Sequence, residues 1–434
     1  MPLRLGSLTA VAPDPGSRPA RTRRATRTAA GPVTPRSVAE SEAMTGQPDS
    51  SPSASLRPTA APQALATIDH DALAHNVAVV RERAGGTPVM AVVKADGYGH
   101  GAVQVARTML AAGVSELGVC TLAEGLELRA AGITAPILSW LHTPDADFAP
   151  AIEAGIELAV SARPQLDAVL DGARRAGAPA VLTVKLDTGL NRNGVNADDW
   201  PCLLDAVAAA HNAGDARLRG LFTHFARADE PDHPVIDAQA EVFRRMVAEA
   251  RAAGLAPEVV HAANSAATLT RPDLRFDMVR PGIALYGLSP MPEVSDFGLR
   301  PVMRVSGRLV NVKTVHAGEG VSYGHTWTAD RDTVVGVVPL GYADGIPRTL
   351  SGRFDVTVGG RRRPAVGRVC MDQFVVDLGP DSEAGIGDEV VVFGDPRRGE
   401  PHAQEWADAL GTIHYEVVTG IKGRVQRRYV GGQD

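Results

Sequence analysis

Lys94 ends a short apolar run, Ala91-Val92-Val93, and is followed by Asp96, Tyr98 and glycines at 97, 99 and 101. A lysine at the end of a buried strand is most simply a solvated cap. It is also the group a Schiff base requires: an amine in a low-dielectric pocket, where desolvation favours the neutral, nucleophilic form. Glycines beside it would let a bulky cofactor such as pyridoxal phosphate approach the backbone. The same stretch, GYGHGA, also matches the G-x-G-x-x-A dinucleotide fingerprint, with Glu124 about twenty residues on. Against that reading, Ala95 and Asp96 lengthen what should be a tight turn from strand to glycine.

Four further polar clusters fall where apolar runs end. Lys185, Asp187 and Arg192 lie in KLDTGLNRNG, and His224 lies in LFTHFARADE. Asn264 and Ser265 lie in HAANSAAT, and Arg280 and Gly282 in MVRPGIALYG. Taken singly, each is a cap or a satisfied structural group. Five clusters at one end of one fold are hard to explain as caps. The Tyr98 and Ser265 hydroxyls and the Gly282 backbone N–H are the donors a phosphate would need.

The apolar runs that position these groups cover residues 89–93, 116–120, 136–141, 156–160, 181–186, 218–224, 259–263 and 282–287. They alternate with amphipathic stretches such as PQLDAVLDGARRAG, several of which end in glycine. Strict alternation predicts a parallel sheet. About eight strand–helix units predict an α/β protein built on a closed (β/α)8, TIM-like barrel over residues 64–290. A doubly wound open sheet is the alternative. Beyond residue 290 the runs are valine-rich with Gly/Asp turns, which predicts a mainly antiparallel β domain over 291–434.

The 434 residues suffice for two or three domains. A net charge of −6, from 44 basic and 50 acidic residues, gives no electrostatic reason to expect nucleic acid or an anionic membrane as partner. No apolar stretch approaches the ~20 residues of a membrane span. Cys120, Cys202 and Cys370 are odd in number and far apart, so neither a disulfide framework nor a metal site is expected, and a reducing cytoplasm fits. Residues 1–63 differ in composition and read as a disordered extension. Their twin arginine, Arg23-Arg24, is not followed by the apolar segment of an export signal. A start at Met44 would shorten the extension.

AVVKADGYGHG resembles the cofactor-lysine motif of bacterial alanine racemases. KLDTGLNRNG, HFARADE, ANSAAT and VRPGIALYG follow in that family's order, and then GVSYGHTW, GYADG, GRVCMDQ and HYE. The resemblance covers about residues 64–430. A dinucleotide fold predicts none of the later motifs. The C-terminal EVVTGIKGRVQRRYV departs from the family by lacking a common proline.

The resemblance implies a fold, a cofactor and a set of roles. Lys94 carries pyridoxal phosphate in a Schiff base and is one catalytic base. Tyr323 is the other, supplied by the second subunit of a homodimer with shared active sites. Tyr98, Ser265, Gly282, Ile283 and Tyr415 hold the phosphate, and Asn264 also binds the cofactor. Arg280 faces the pyridine nitrogen, and His224 supports the ring. Arg192 and Met371 bind the substrate carboxylate, with Asp372 close by, and Lys185 matches a position that can be carbamylated. The implied activity is interconversion of L- and D-alanine by two bases, supplying D-alanine for peptidoglycan. A broader amino-acid racemase or a decarboxylase of the same architecture is the alternative, as is a non-enzymatic cofactor carrier. A phenol is a poor base near neutral pH, so cationic neighbours are expected for Tyr323, with His224 and Arg280 as the candidates. Cys370, beside Met371, reads as a small packed hydrophobe rather than a nucleophile.

Overall fold

The computed structural model describes residues 62–432. Apart from its last two residues, the extension assigned to 1–63 lies outside them. The first strand, β1 (Ala64–Asp69), falls in the range assigned to the barrel but pairs elsewhere, as set out below.

Seven parallel strands then follow in chain order: β2 (Met90–Val92), β3 (Glu116–Val119), β4 (Ile137–Ser139), β5 (Glu157–Val160), β6 (Ala180–Lys185), β7 (Ala216–Phe222) and β8 (Val259–His261). Each pairs with the next, from Met90 beside Glu116 to Phe222 beside His261. Most are short and buried along their length, as parallel strands covered by helices must be.

The eighth strand expected over 282–287 is a turn of 3-10 helix, Ile283–Tyr286. The segment just before it fills the gap. Met278 bridges to His261 and Val279 to Val89. Met90 N and Val92 N donate to the carbonyls of Val279 and Pro281 at 2.9 and 3.1 Å. The curled sheet therefore closes through residues 278–281. Pro281 has no N–H with which to extend a ladder, so the strand stops there and the chain turns across the barrel mouth.

Chemistry and stability sit at opposite ends of this barrel. Glu116 and Glu157, the first residues of β3 and β5, are buried and both ion-pair with Arg219 of β7. They fill the N-terminal end, where a barrel is braced, and leave the C-terminal end to the site.

The second sheet comprises β9 (Met303–Arg308), β10 (Asn311–Val315), β13 (Thr333–Val338), β14 (Asp355–Val358), β15 (Arg361–Val366), β16 (Phe374–Gly379), β17 (Glu389–Phe393) and β18 (Gln426–Val430), with β1. A separate hairpin pairs β11 (Gly320–Val321) with β12 (Trp327–Thr328). The pairings of the nine-stranded sheet are antiparallel except that of β1 with β18. β1 lies between β9 and β18, so the chain enters through the second sheet before building the barrel.

Candidate active site at the C-terminal end of the barrel

A cavity of about 740 Å³ opens where the barrel strands end. Its walls include Lys94, Tyr98, Lys185, Arg192, His224, Asn264, Ser265, Arg280, Gly282, Ile283 and Tyr415. The residues expected from the barrel thus come together, joined by Tyr415 of the helix His414–Gly420.

Lys94 is half-buried, one residue beyond the N-cap Val93. The chain then takes an unusual path. Ala95, Asp96, Gly97 and Tyr98 all have positive φ, between 52° and 60°. Three of them carry a Cβ, and each such residue costs on the order of 1–3 kcal/mol in the left-handed region. Strain concentrated beside the candidate nucleophile points to a conformation held for function. The glycines, however, do not clear space for a cofactor. A Cβ on Gly97 would meet Val105, one on Gly99 the Val418 carbonyl, and one on Gly101 the Tyr429 hydroxyl. At Gly99 and Gly101 that freedom lets the helix His414–Gly420 and β18 pack against the turn.

Gly282 does serve the cavity. A Cβ there would collide with the Tyr98 hydroxyl, which comes close to the backbone at this point. Gly282 N and Ala284 N donate to Ser265 Oγ at 2.8 and 3.3 Å. Asn264 caps the helix Ser265–Thr270, its Oδ1 accepting from Ala267 N. Tyr98 is buried, and burial raises its pKa well above the ordinary phenol value.

The electrostatics are those of an anion site. Arg280 is buried; Nη1 is 2.9 Å from His261 Nδ1, and Nη2 donates to the Thr223 carbonyl. Burial pulls its pKa down to about 9, so it stays protonated at neutral pH. Burial, aided by Arg280 and Arg192, brings Lys185 down to about 8. The Arg280 guanidinium lies 5.1 Å and the Lys185 ammonium 5.6 Å from the Phe222 ring centroid. Arg192 projects from the 187–194 loop, which Asp187 Oδ1 organises by accepting from Gly189 N and Asn191 N.

One sequence expectation changes, and the dinucleotide alternative loses its acidic residue. His224 is not a cation here. Burial first, then the positive charges of Arg280, Arg192, Lys185 and Lys94, push its pKa down to about 3. It can hydrogen-bond to a tyrosine base but cannot lower its pKa by charge. Glu124 is not free for a ribose: its carboxylate is engaged at the start of the helix Leu122–Ala130. His261 was missed. It stacks on Phe222 at 5.2 Å as well as contacting Arg280. Its only sequence signal was a polar residue inside the 259–263 apolar run, two positions before that run's end.

Tyr323, Met371 and Asp372 do not line this cavity. Tyr323 is 71% and Met371 53% exposed. Asp372 pairs with Arg424 at 2.8 Å. Tyr323 stands on the loop between β11 and β12, flanked by Ser322, Gly324 and His325, all at positive φ. Ser322, at φ 62° and ψ −171°, occupies a region that is otherwise essentially glycine's. Its hydroxyl donates to the Arg368 carbonyl at 2.7 Å, which fixes the loop that displays Tyr323. Cys370 Sγ lies 3.4 Å from the same hydroxyl and is half-buried, a packed setting.

Two family models match: the alanine racemase N-terminal domain over residues 68–290 and its C-terminal domain over 302–429. The alanine racemase of Mycolicibacterium vanbaalenii is 57% identical over 375 residues, covering 86% of this chain and 96% of that protein. That of Mycobacterium tuberculosis is 56% identical over 367 residues, covering 84% and 96%. The crystal structure of alanine racemase from D-cycloserine-producing Streptomyces lavendulae superposes with a TM-score of 0.84 at 51% identity, covering 86% of this chain and 98% of that one. The enzyme from Streptomyces coelicolor gives 0.83 at 52%, covering 85% and 98%.

Proposed function

The chain belongs to the alanine racemase family, and from that premise we propose how its own residues carry the reaction. It is a pyridoxal-phosphate-dependent isomerase that interconverts L- and D-alanine. The observation that carries the proposal is one half-buried lysine facing a cavity walled by Lys185, Arg192 and Arg280. That donor set suits a ligand bearing a phosphate and a carboxylate.

In this reading Lys94 holds the cofactor covalently. Tyr98, Ser265, Gly282, Ile283 and Tyr415 cradle its phosphate, Asn264 also binds the cofactor, and Arg280 faces its ring nitrogen. When bound, pyridoxal phosphate draws electrons from the substrate's α-carbon and so acidifies the α-proton. The protein supplies position and bases. Arg192 and the partner subunit's Met371 orient the substrate carboxylate. Lys94 moves a proton on one face, and the partner subunit's Tyr323 does so on the other. Neutral His224 supports the ring side of the cavity, and Lys185 and Asp372 are supporting residues. Arg280, being cationic, can only donate a hydrogen bond, so it favours an unprotonated ring nitrogen that accepts it.

A homodimer with shared sites is part of the proposal. It is supported by the exposure of Tyr323 and Met371 and by the backbone strain that displays Tyr323. So is a division into a barrel over 64–290 and a strand-rich domain over 291–434, with β1 lent to the second sheet. The biological role we infer is D-alanine supply for peptidoglycan in the cytoplasm. No helix among the described residues is long and apolar enough to cross a membrane.

The test is subunit mixing. Lys94→Ala and Tyr323→Phe, each inactive alone, should regain about one working site per mixed dimer, because one site collects both lesions and the other neither. No recovery after verified exchange would place each site within one chain. The phosphate cradle has its own test. Gly282→Ala should weaken pyridoxal phosphate binding about tenfold by displacing the Tyr98 hydroxyl. Adding Tyr98→Phe should relieve the collision, so the pair should cost less than the two changes summed. Strict additivity in cofactor titrations would sink that account.

A further inference from the structure

Glu124 lies three residues into the helix that follows β3, and its carboxylate accepts three backbone N–H groups. Oε2 takes Cys120 N at 2.7 Å and Thr121 N at 3.0 Å. Oε1 takes Ala95 N at 2.7 Å. The bond from Thr121 N, with Thr121 Oγ1 accepting from Glu124 N at 3.3 Å, forms an ordinary capping box that starts a helix, and the bond from Cys120 N adds the residue just before it. The third belongs to no cap. It crosses from one strand–helix junction to the next and ends on the residue after Lys94.

That residue opens the left-handed run. The far side of the turn is secured by other means. Asp96 Oδ1 accepts from Ala102 N at 2.9 Å, and Asp96 Oδ2 pairs with Arg427 of β18 at 2.6 Å. Arg427 also donates to the Gly99 carbonyl at 2.9 Å. These contacts hold residues 96–102. The peptide joining Lys94 to Ala95 is held at its N–H by Glu124.

We propose that Glu124 is a positioning residue for Lys94: its carboxylate fixes the Lys94–Ala95 peptide and so the direction in which the lysine side chain leaves the backbone. The inference rests on the reading that Lys94 holds the cofactor. The ionised form matters. A carboxylate accepts at both oxygens, whereas an amide has one acceptor and turns its NH2 toward donors. The span matters too. Aspartate at 124 keeps the charge at the helix start but is one methylene short of Ala95.

The experiment begins with the parent holoenzyme. Borohydride reduction and peptide mapping should mark Lys94; a mark elsewhere overturns the underlying reading, whatever Glu124 does. Glu124→Gln, Glu124→Asp and Thr121→Ala are then compared for pyridoxal phosphate affinity, measured by trapping at Lys94, and for melting temperature. Both Glu124 variants should bind the cofactor about tenfold more weakly. When loaded, they should show kcat down about tenfold with the alanine KM changed less than about twofold. Thr121→Ala should lower the melting temperature but leave cofactor affinity at the parent value. Cofactor affinity at the parent value in both Glu124 variants, or equal weakening in Thr121→Ala, overturns the proposal. If Glu124→Gln does not fold, Glu124→Asp is read by the same criteria. If that also fails to fold, Glu124 serves the fold and the proposal falls.

Discussion

Lys94→Ala should purify without covalent cofactor and without racemase activity. Parent protein treated with borohydride should carry pyridoxal phosphate on Lys94 alone, and the variant on no residue. The expected loss in kcat is on the order of 10²–10⁴-fold or more, because both the covalent link and one proton-transferring group are removed. Lys94→Arg separates charge from nucleophilicity. It restores a cation at the cavity wall, but a guanidinium stays protonated near neutral pH and forms no such link. If Lys94 only balanced charge, the arginine variant would recover activity. If it is the nucleophile, the two variants fail alike. An alanine variant that still fixed the cofactor would end the assignment.

Lys94 was legible as the candidate because sequence order alone carries it: an apolar run, a lysine, then motifs in a family's order. Its presentation was not. Ala95 and Asp96 have no intrinsic preference for the left-handed region, and nothing local marks them as adopting it. The contacts that hold them come from Glu124 and from Arg427, which lies 331 positions beyond Asp96 in the chain. The glycines were read as space for a cofactor. Those at 99 and 101 are instead where a distant helix and strand come against the turn, while Gly97 packs on neighbouring Val105.

The same limit explains the eighth strand and the first. IALY is apolar enough for a strand, yet Pro281 ends the ladder just before it, and closure falls to residues 278–281. ALATID is a short apolar run before a helix, as a barrel strand would be. Its partners, β9 and β18, lie far along the chain, so local pattern could not assign its sheet. The charge state of His224 depends on burial among four cations from three separate segments, which only the folded molecule assembles. With His224 neutral, the cationic support expected for Tyr323 narrows to Arg280.

Tyr323→Phe should separate the two faces of the reaction. Phenylalanine keeps the ring's packing on its strained loop and removes the oxygen that accepts a proton. Racemisation should fall ~10²–10⁴-fold, while cofactor and both alanine enantiomers still bind. Each base faces one side of the α-carbon, so each takes the proton from one enantiomer only. In the proposed assignment Tyr323 serves L-alanine and Lys94 serves D-alanine. In deuterated water the variant should therefore exchange the α-proton of D-alanine through Lys94 without inverting it, and leave L-alanine almost untouched. Tyr323→Ala is a poorer probe, since its cavity admits a water that can stand in for the missing oxygen. Faster exchange of L- than D-alanine by the phenylalanine variant would reverse the facial assignment. Racemisation at the parent rate would remove Tyr323 from the chemistry, and with it the reason for a loop held at positive φ on three residues to display one exposed tyrosine.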